Sequence, residues 1–437
     1  MIKKSISAFG LLLLGVLSQA QEIKFEEYDL PNGMHVILHQ DNKAPVVTTA
    51  VMYHVGAKDE IANRTGFAHF FEHLLFEGTP NIKRGEWMKI VGANGGSNNA
   101  NTTDDRTYYY ETFPSNNLQL GLWMESERLR HPVINQIGVD TQNEVVKEEK
   151  RMRVDNQPYG NIMKAIKTGL FKKHPYKNTT IGEMEDLDSA KLDEFLTFFK
   201  KYYVPNNATL VVAGDFNTAE TKKLIEAYFA GIPKGAPVVR NLPKEDPITQ
   251  ETVMTYTDPN IQLPAYIYTY RTPGDKTRDS KVLDMISSYL SNGKSSVLYK
   301  KLVDEDKKAL QVQAINLGQE DYSVFAFFAI PMGNTTEAAL RADIDAEVKK
   351  LQTTLISEED FQKLQNQFEN RFVNANSSIQ GIASSLATYH VLGGDTNLIN
   401  KEIEIYRNIT REDLREAAKK YLNSNQRVII NYLPEKK

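Results

Sequence analysis

Residues 66–76 run Gly66-Phe67-Ala68-His69-Phe70-Phe71-Glu72-His73-Leu74-Leu75-Phe76, densely apolar apart from two histidines and one glutamate, and Gly78-Thr79-Pro80 ends the run. The length, the apolar density and the Gly/Pro stop predict a helix. At about 100° per residue, His73 falls roughly 40° from His69 and Glu72 roughly 60° to its other side. The three polar groups therefore share one face, while Phe67, Phe70, Phe71, Leu74 and Leu75 spread over the other. No lysine or arginine solvates the polar stripe. Two neutral imidazoles one turn apart suit one zinc ion, each nitrogen at about 2.0 Å. The competing reading, histidines hydrogen-bonded in an ordinary amphipathic helix, holds for a lone histidine. It loses ground here, because a chain of 437 residues with only 8 histidines seldom produces this five-residue pattern by chance.

A zinc site open to chemistry ordinarily keeps three protein ligands. Residues 142–153 predict a second helix with Val145, Val146 and Met152 as its apolar stripe. Glu149 falls within roughly 20° of the stripe's centre, Glu148 roughly 80° away and Glu144 roughly 120° away. A carboxylate facing a core needs a partner, and for Glu149 that partner is zinc or an arginine. Gln142 points along the same face and is placed to orient a ligand.

The chain has no cysteine, which excludes disulfides, thiolate ligands and a cysteine nucleophile. Any metal must be held by histidine and carboxylate. Its start is leader-like: Met1-Ile2-Lys3-Lys4 is basic, residues 9–17 are apolar, and Ser18-Gln19-Ala20 is a small-residue cleavage pattern. The apolar run is shorter than the about 20 residues a membrane span needs. Residues 1–20 are therefore expected to be a signal peptide, with the mature chain exported to the periplasm or beyond and not stably inserted in a membrane. Without Lys3 and Lys4 there remain 50 basic against 56 acidic residues and no basic run, which speaks against nucleic acid.

Strands are expected over residues 34–38, 46–55 and 108–113, and further helices over 118–130 and 190–203. The mixed order predicts α+β architecture with sheets covered by helices on one face. A partial repeat displaced by 219 residues points to two similar domains: Lys200-Lys201-Tyr202, Asn206 and the strand at 209–212 recur as Lys419-Lys420-Tyr421, Asn425 and 428–430. Pro233, Pro237, Pro243 and Pro247 mark the connection. The expected division is an N-terminal zinc-binding domain over 21–235, a linker over 236–249, and a C-terminal domain of similar fold over 250–437 without a metal site.

His69 to His73 is the inverted zincin signature, and the chain resembles the pitrilysin/insulinase family, in particular its short bacterial, mitochondrial-processing-peptidase-like branch. Thr65-Gly66-Phe67-Ala68, Phe76-Glu77-Gly78-Thr79, Val145-Val146-Lys147-Glu148-Glu149, His174-Pro175-Tyr176 and Tyr203-Val204-Pro205-Asn206-Asn207 are similar to segments of that family. The resemblance implies two similar α+β domains per chain, paired with two more around a chamber. It also implies a zinc endopeptidase acting on peptides or unfolded polypeptides. One Zn2+ per chain would sit on His69, His73 and Glu149, with Glu72 as the base that takes the water's proton. Residues 98–102 resemble the edge strand to which such enzymes add the substrate, with Asn99 and the Ala100 main chain in contact with it; by composition alone this stretch reads as a turn.

Two departures stand out. Gln142 occupies a position where many relatives carry glutamate. Gly293-Lys294-Ser295-Ser296-Val297-Leu298 is similar to a family segment that has arginine in place of Val297, a group that helps bind substrate and stabilise the oxyanion. Tyr299 is a weak substitute. The expectation is a homodimer or a heterodimer in which a partner, for instance an inactive paralogue, supplies the arginine. The alternatives are a non-catalytic scaffold or assembly subunit, which would be expected to have lost the signature, and a metal-storage protein, which would have no use for an adjacent base.

Overall fold

The computed structural model of the chain describes residues 22–435, so the expected signal peptide lies outside the described residues. Two sheets organise the structure. The first takes β1 (Glu26–Asp29), β2 (His35–Gln40), β3 (Val46–Tyr53), β4 (Ser97–Thr102), β5 (Thr107–Pro114) and β6 (Ala208–Gly214), ordered β1-β2-β6-β3-β5-β4. The second takes β7 (Thr252–Asp258), β8 (Ala265–Pro273), β9 (Ala309–Leu317), β10 (Tyr322–Pro331) and β11 (Arg427–Pro434), ordered β7-β11-β8-β10-β9. Residues 230–251 between them carry neither helix nor strand.

The two sheets share a plan. β6 enters its sheet parallel to β2 and antiparallel to β3, and β11 does the same between β7 and β8. These strands are the two copies of the 219-residue repeat: the helix Leu192–Tyr202 precedes β6 and the helix Arg411–Tyr421 precedes β11. The repeat therefore records a common helix-to-central-strand unit.

The expectation that each sheet is covered on one face is corrected. One face of the first sheet packs on its own half's helices, Phe67–Leu74 and Leu192–Tyr202 among them. The other face packs on Ile382, Ala383, Leu386 and Ala387 of the helix Ile379–Thr388, which belongs to the second half. The exchange is mutual, since Ala165, Ile166 and Leu170 of the helix Ile162–Leu170 pack on Ile267, Val428 and Ile430 of the second sheet. The physical reason is visible in β6, buried at every position from Ala208 to Gly214. A strand apolar on both faces needs cover on both.

The zinc-binding candidate helix Phe67–Leu74 sits against this frame. Phe67 stacks on Phe195 at 4.4 Å between ring centroids and Phe71 on Phe198 at 5.5 Å, each buried ring contributing roughly 1.5–3 kcal/mol. Its N-terminus is held by Glu60, whose carboxylate accepts from the N–H groups of Gly66 and Ala68, both at 2.9 Å. Gly66 is required there: its φ is 89°, and a Cβ would lie 2.7 Å from the Ile181 carbonyl oxygen.

Candidate metal centre

With the apolar face of Phe67–Leu74 pinned by aromatic rings, His69 and His73 turn toward the helix Gln136–Lys150 and Glu72 toward β4; Asn135 caps the N-terminus of that helix by accepting from Gly138 N–H at 2.9 Å. Gly138 lies where the two helices meet, its Cβ position an ordinary contact distance of 3.4 Å from the Leu74 side chain. This helix differs from its expected bounds. It ends at Lys150 and widens into one π turn, Arg151–Asp155. The expected stripe also needs correcting: Val146 is buried, but Val145 is 44% and Met152 59% exposed. Adjacent residues stand about 100° apart on a helix, so Val145 cannot share Val146's face, and Met152 falls in the widened turn. Val139 and Val146 carry the packing instead.

Glu149 nevertheless reaches the histidines. Its Oε2 lies 3.1 Å from His73 Nε2 and 3.6 Å from His69 Nε2, and the two nitrogens are 3.4 Å apart. Ligands placed tetrahedrally about 2.05 Å from one zinc ion would be roughly 3.3 Å from each other, so the three atoms fit a single ion. The rings meet edge to face at 79°, which lets both in-plane lone pairs converge. The donor set of two imidazoles and one carboxylate is one that zinc accepts. The other Glu149 oxygen, Oε1, pairs with Arg153 Nη1 at 2.6 Å. Both partners considered from the sequence, metal ligands and an arginine, are thus met on opposite oxygens. The i,i+4 spacing of Arg153 from Glu149 is the sequence signal for this pair.

The electrostatics suit a metal and a base. Burial, then the neighbouring His73, lowers His69 to about 4, so its imidazole is neutral and free to ligate at neutral pH. The hydrogen bond with His73 leads the causes that hold Glu149 below the usual carboxylate range. Glu72 goes the other way. Burial raises it, against the hydrogen bond that Thr102 Oγ1 donates to its Oε2 at 2.6 Å. A carboxylate raised toward neutrality is better matched to general-base work. Thr102, like Arg153, has no role assigned from the sequence. Its link to Glu72 spans 30 residues and leaves no periodic trace.

Asn99 and Ala100 lie on β4, which is the outer strand of its sheet. Asn99 is exposed, and its Oδ1 accepts the Ala100 N–H at 2.9 Å. Gln142 donates to Glu77 Oε1 at 2.5 Å, and no hydrogen bond joins it to His69, His73 or Glu149. A cleft of about 380 Å³ opens over the centre, bounded by His69, Glu72, Ala100, Thr102, Glu149 and Arg153, with every lining residue between 69 and 183. Val297 lines a different pocket with Ser295 and Lys363, and Tyr299 begins the π turn Tyr299–Glu305, so neither borders this cleft.

Residues 35–184 match the family described as Insulinase (Peptidase family M16), and residues 189–368 match the family described as Peptidase M16 inactive domain. The chain is 31% identical to the zinc protease PqqE of Helicobacter pylori over 98% of both chains. It is 27% identical to a probable mitochondrial-processing peptidase subunit beta of Schizosaccharomyces pombe over 49% of this chain and 46% of that one. The crystal structure of a protease from Helicobacter pylori superposes with a TM-score of 0.87 at 29% identity, covering 94% of this chain and 99% of that one. A putative M16-like peptidase from Alicyclobacillus acidocaldarius gives a TM-score of 0.81 at 19% identity over 94% and 98%, a likeness of fold.

Proposed function

Because the chain belongs to the insulinase family, peptidase family M16, we propose that it is a zinc-dependent endopeptidase acting on peptides or unfolded polypeptides. The observation that carries this reading is the convergence of His69 Nε2, His73 Nε2 and Glu149 Oε2 within 3.6 Å of one another, with Glu72 one residue from His73 and facing the same cleft. Zinc on these three ligands would acidify a water and polarise a scissile carbonyl. Glu72 takes the proton and returns it to the leaving amine; Thr102 occupies Oε2, which leaves Oε1 for that transfer. An extended substrate adds to the open edge of β4, exchanging the Asn99 contact on the Ala100 N–H for its own main chain. Arg153 holds the second Glu149 oxygen and keeps the ligating one aimed.

The leader at 1–20 supports export to the periplasm or beyond, and among the described residues no helix is long and apolar enough to cross a membrane. A cleft lined only by residues 69–183, together with Val297 at the arginine position, supports a dimer in which the second chain completes the site. Full turnover by a homodimer of this chain alone would remove the need for an arginine-bearing paralogue.

The decisive experiment is digestion of an unfolded polypeptide by the purified chain with zinc, with a chelator, and with Glu72→Gln. Cleavage lost to the chelator, restored by zinc and abolished in a Glu72→Gln protein that still binds zinc is the expected result. Cleavage unaffected by the substitution would refute the mechanism.

A further inference from the structure

No residue of the second half lines the cleft, yet that half grips the strand pair beside it. β4 and β5 are joined by residues 103–106, directly after Thr102, and this turn presents Asp104 and Asp105, 8% and 3% exposed. The loop joining β9 to β10 in the second half reaches into it. Gln319 Nε2 donates to Asp104, the Glu320 N–H donates to Asp105 Oδ2 at 3.0 Å, and the Asp321 N–H donates to the Tyr176 hydroxyl at 3.1 Å, which itself donates to Asp105. Lys58 closes the group from below. Its ammonium, 1% exposed, lies 2.9 Å from Asp105 Oδ1, 2.7 Å from Glu320 Oε2 and 3.0 Å from Asp321 Oδ2. His54 and Lys276 hold the two Glu320 oxygens at 2.8 and 3.2 Å, and Lys167 holds Asp104 Oδ2 at 2.7 Å.

The backbone is equally close. Lys58 N–H donates to Asp104 O at 2.9 Å, and a Cβ on Gly56 would stand 2.4 Å from the Asp104 carbonyl carbon. Burial on its own would lower Lys58, but the Asp105 and Glu320 charges hold it above its usual value. Buried charges are costly unless each is paired; Lys58 with Asp105 and Lys167 with Asp104 pair inside the first half, and the second half's loop completes the set, Glu320 and Asp321 on Lys58 and Gln319 on Asp104. A loop that served only to join two strands would not need that arrangement.

We propose that Gln319 and Glu320 are positioning residues for the reaction: by clamping the 103–106 turn they hold Thr102, and through it Glu72 and the open edge of β4, in working register. The proposal rests on the peptidase reading above. It gives the second half a task in the same chain's site without contact with substrate.

The test uses the full chain carrying Glu320→Gln with Gln319→Ala, and Gln319→Ala alone should the pair fail to fold. Amide hydrogen exchange over residues 98–106 is expected to quicken at least about 10-fold. One equivalent of zinc should remain, and kcat on a fluorogenic peptide should fall about 10- to 100-fold, more than KM rises. Glu320→Asp, which keeps a charge beside Lys58, should recover most of the kcat, a rescue that loss of general stability would not show. Unchanged exchange over 98–106 would overturn the clamp, and quickened exchange with unchanged kcat would overturn its role in the reaction. If the wild-type chain cleaves nothing, the peptidase reading fails, whereas the exchange measurement still decides the clamp.

Discussion

Thr102 Oγ1 donates to Glu72 Oε2 at 2.6 Å, joining the last residue of the open edge strand to the carboxylate beside His73. The strand that would receive substrate is thereby tied to the group that would move the proton. A single hydroxyl both aims Glu72 and opposes the upward push of burial on it.

Thr102→Val keeps the shape and removes the donor. Glu72 then lies higher, a smaller fraction is ionised at a given pH, and the acid limb of kcat/KM moves toward higher pH, with kcat at neutrality down about 10-fold. Zinc content should not change. A pH–rate profile superposing on the wild type would sink the assignment.

Glu149→Gln removes the charge of the proposed third ligand while keeping the helix. Losing a group that only orients a ligand typically costs about 10- to 100-fold in metal affinity, and losing the ligand should cost more. Arg153→Ala touches only the other oxygen and belongs to the milder class. Competition with a chromogenic chelator measures both; equal affinities for Glu149→Gln and wild type would exclude Glu149 as a ligand.

Arg128 is a test of the scaffold under the centre. Fully buried, it lies 2.8 Å from Glu111 and 3.2 Å from Glu125, donates to the Leu75 carbonyl at the end of the His69 helix, and sits 4.1 Å from the centroid of Trp87. Arg128→Met leaves two buried carboxylates unpaired and should cost about 3–5 kcal/mol, read from urea unfolding. A loss under about 1 kcal/mol would show that the pair neutralises itself by protonation.

His390 offers a pH prediction away from the centre. It stacks on His35 of β2 at 3.6 Å and 4°, tying the second half to the first sheet, and burial with the His35 charge lowers it to about 4. Glu27, Asp29 and Thr396 face the same pair. Between that value and the unfolded one, about 6.5, the unfolded chain binds the extra proton. Stability therefore falls as pH drops through that window. Thermal midpoints of the His390→Gln chain should decline less from pH 6.5 to 4 than those of the wild type; parallel declines would refute this.

Much of this protein follows from local pattern. Period and spacing alone place His69, Glu72 and His73 on one helix face, β3 and β5 where they stand, and the doubled helix-to-strand unit at the ends of the two halves. These are consequences of backbone geometry repeated every 3.6 or 2 residues, which a sequence carries explicitly. The approach of Glu149 to within 3.1 Å of His73, Thr102 on Glu72, the exchanged helices over each other's sheets, and the loop at 319–321 on Asp104 and Asp105 are of another kind. Each joins segments separated by tens to hundreds of residues, and each is set by how whole layers pack. Only the folded chain could decide them, because packing between layers leaves no period in the sequence to read.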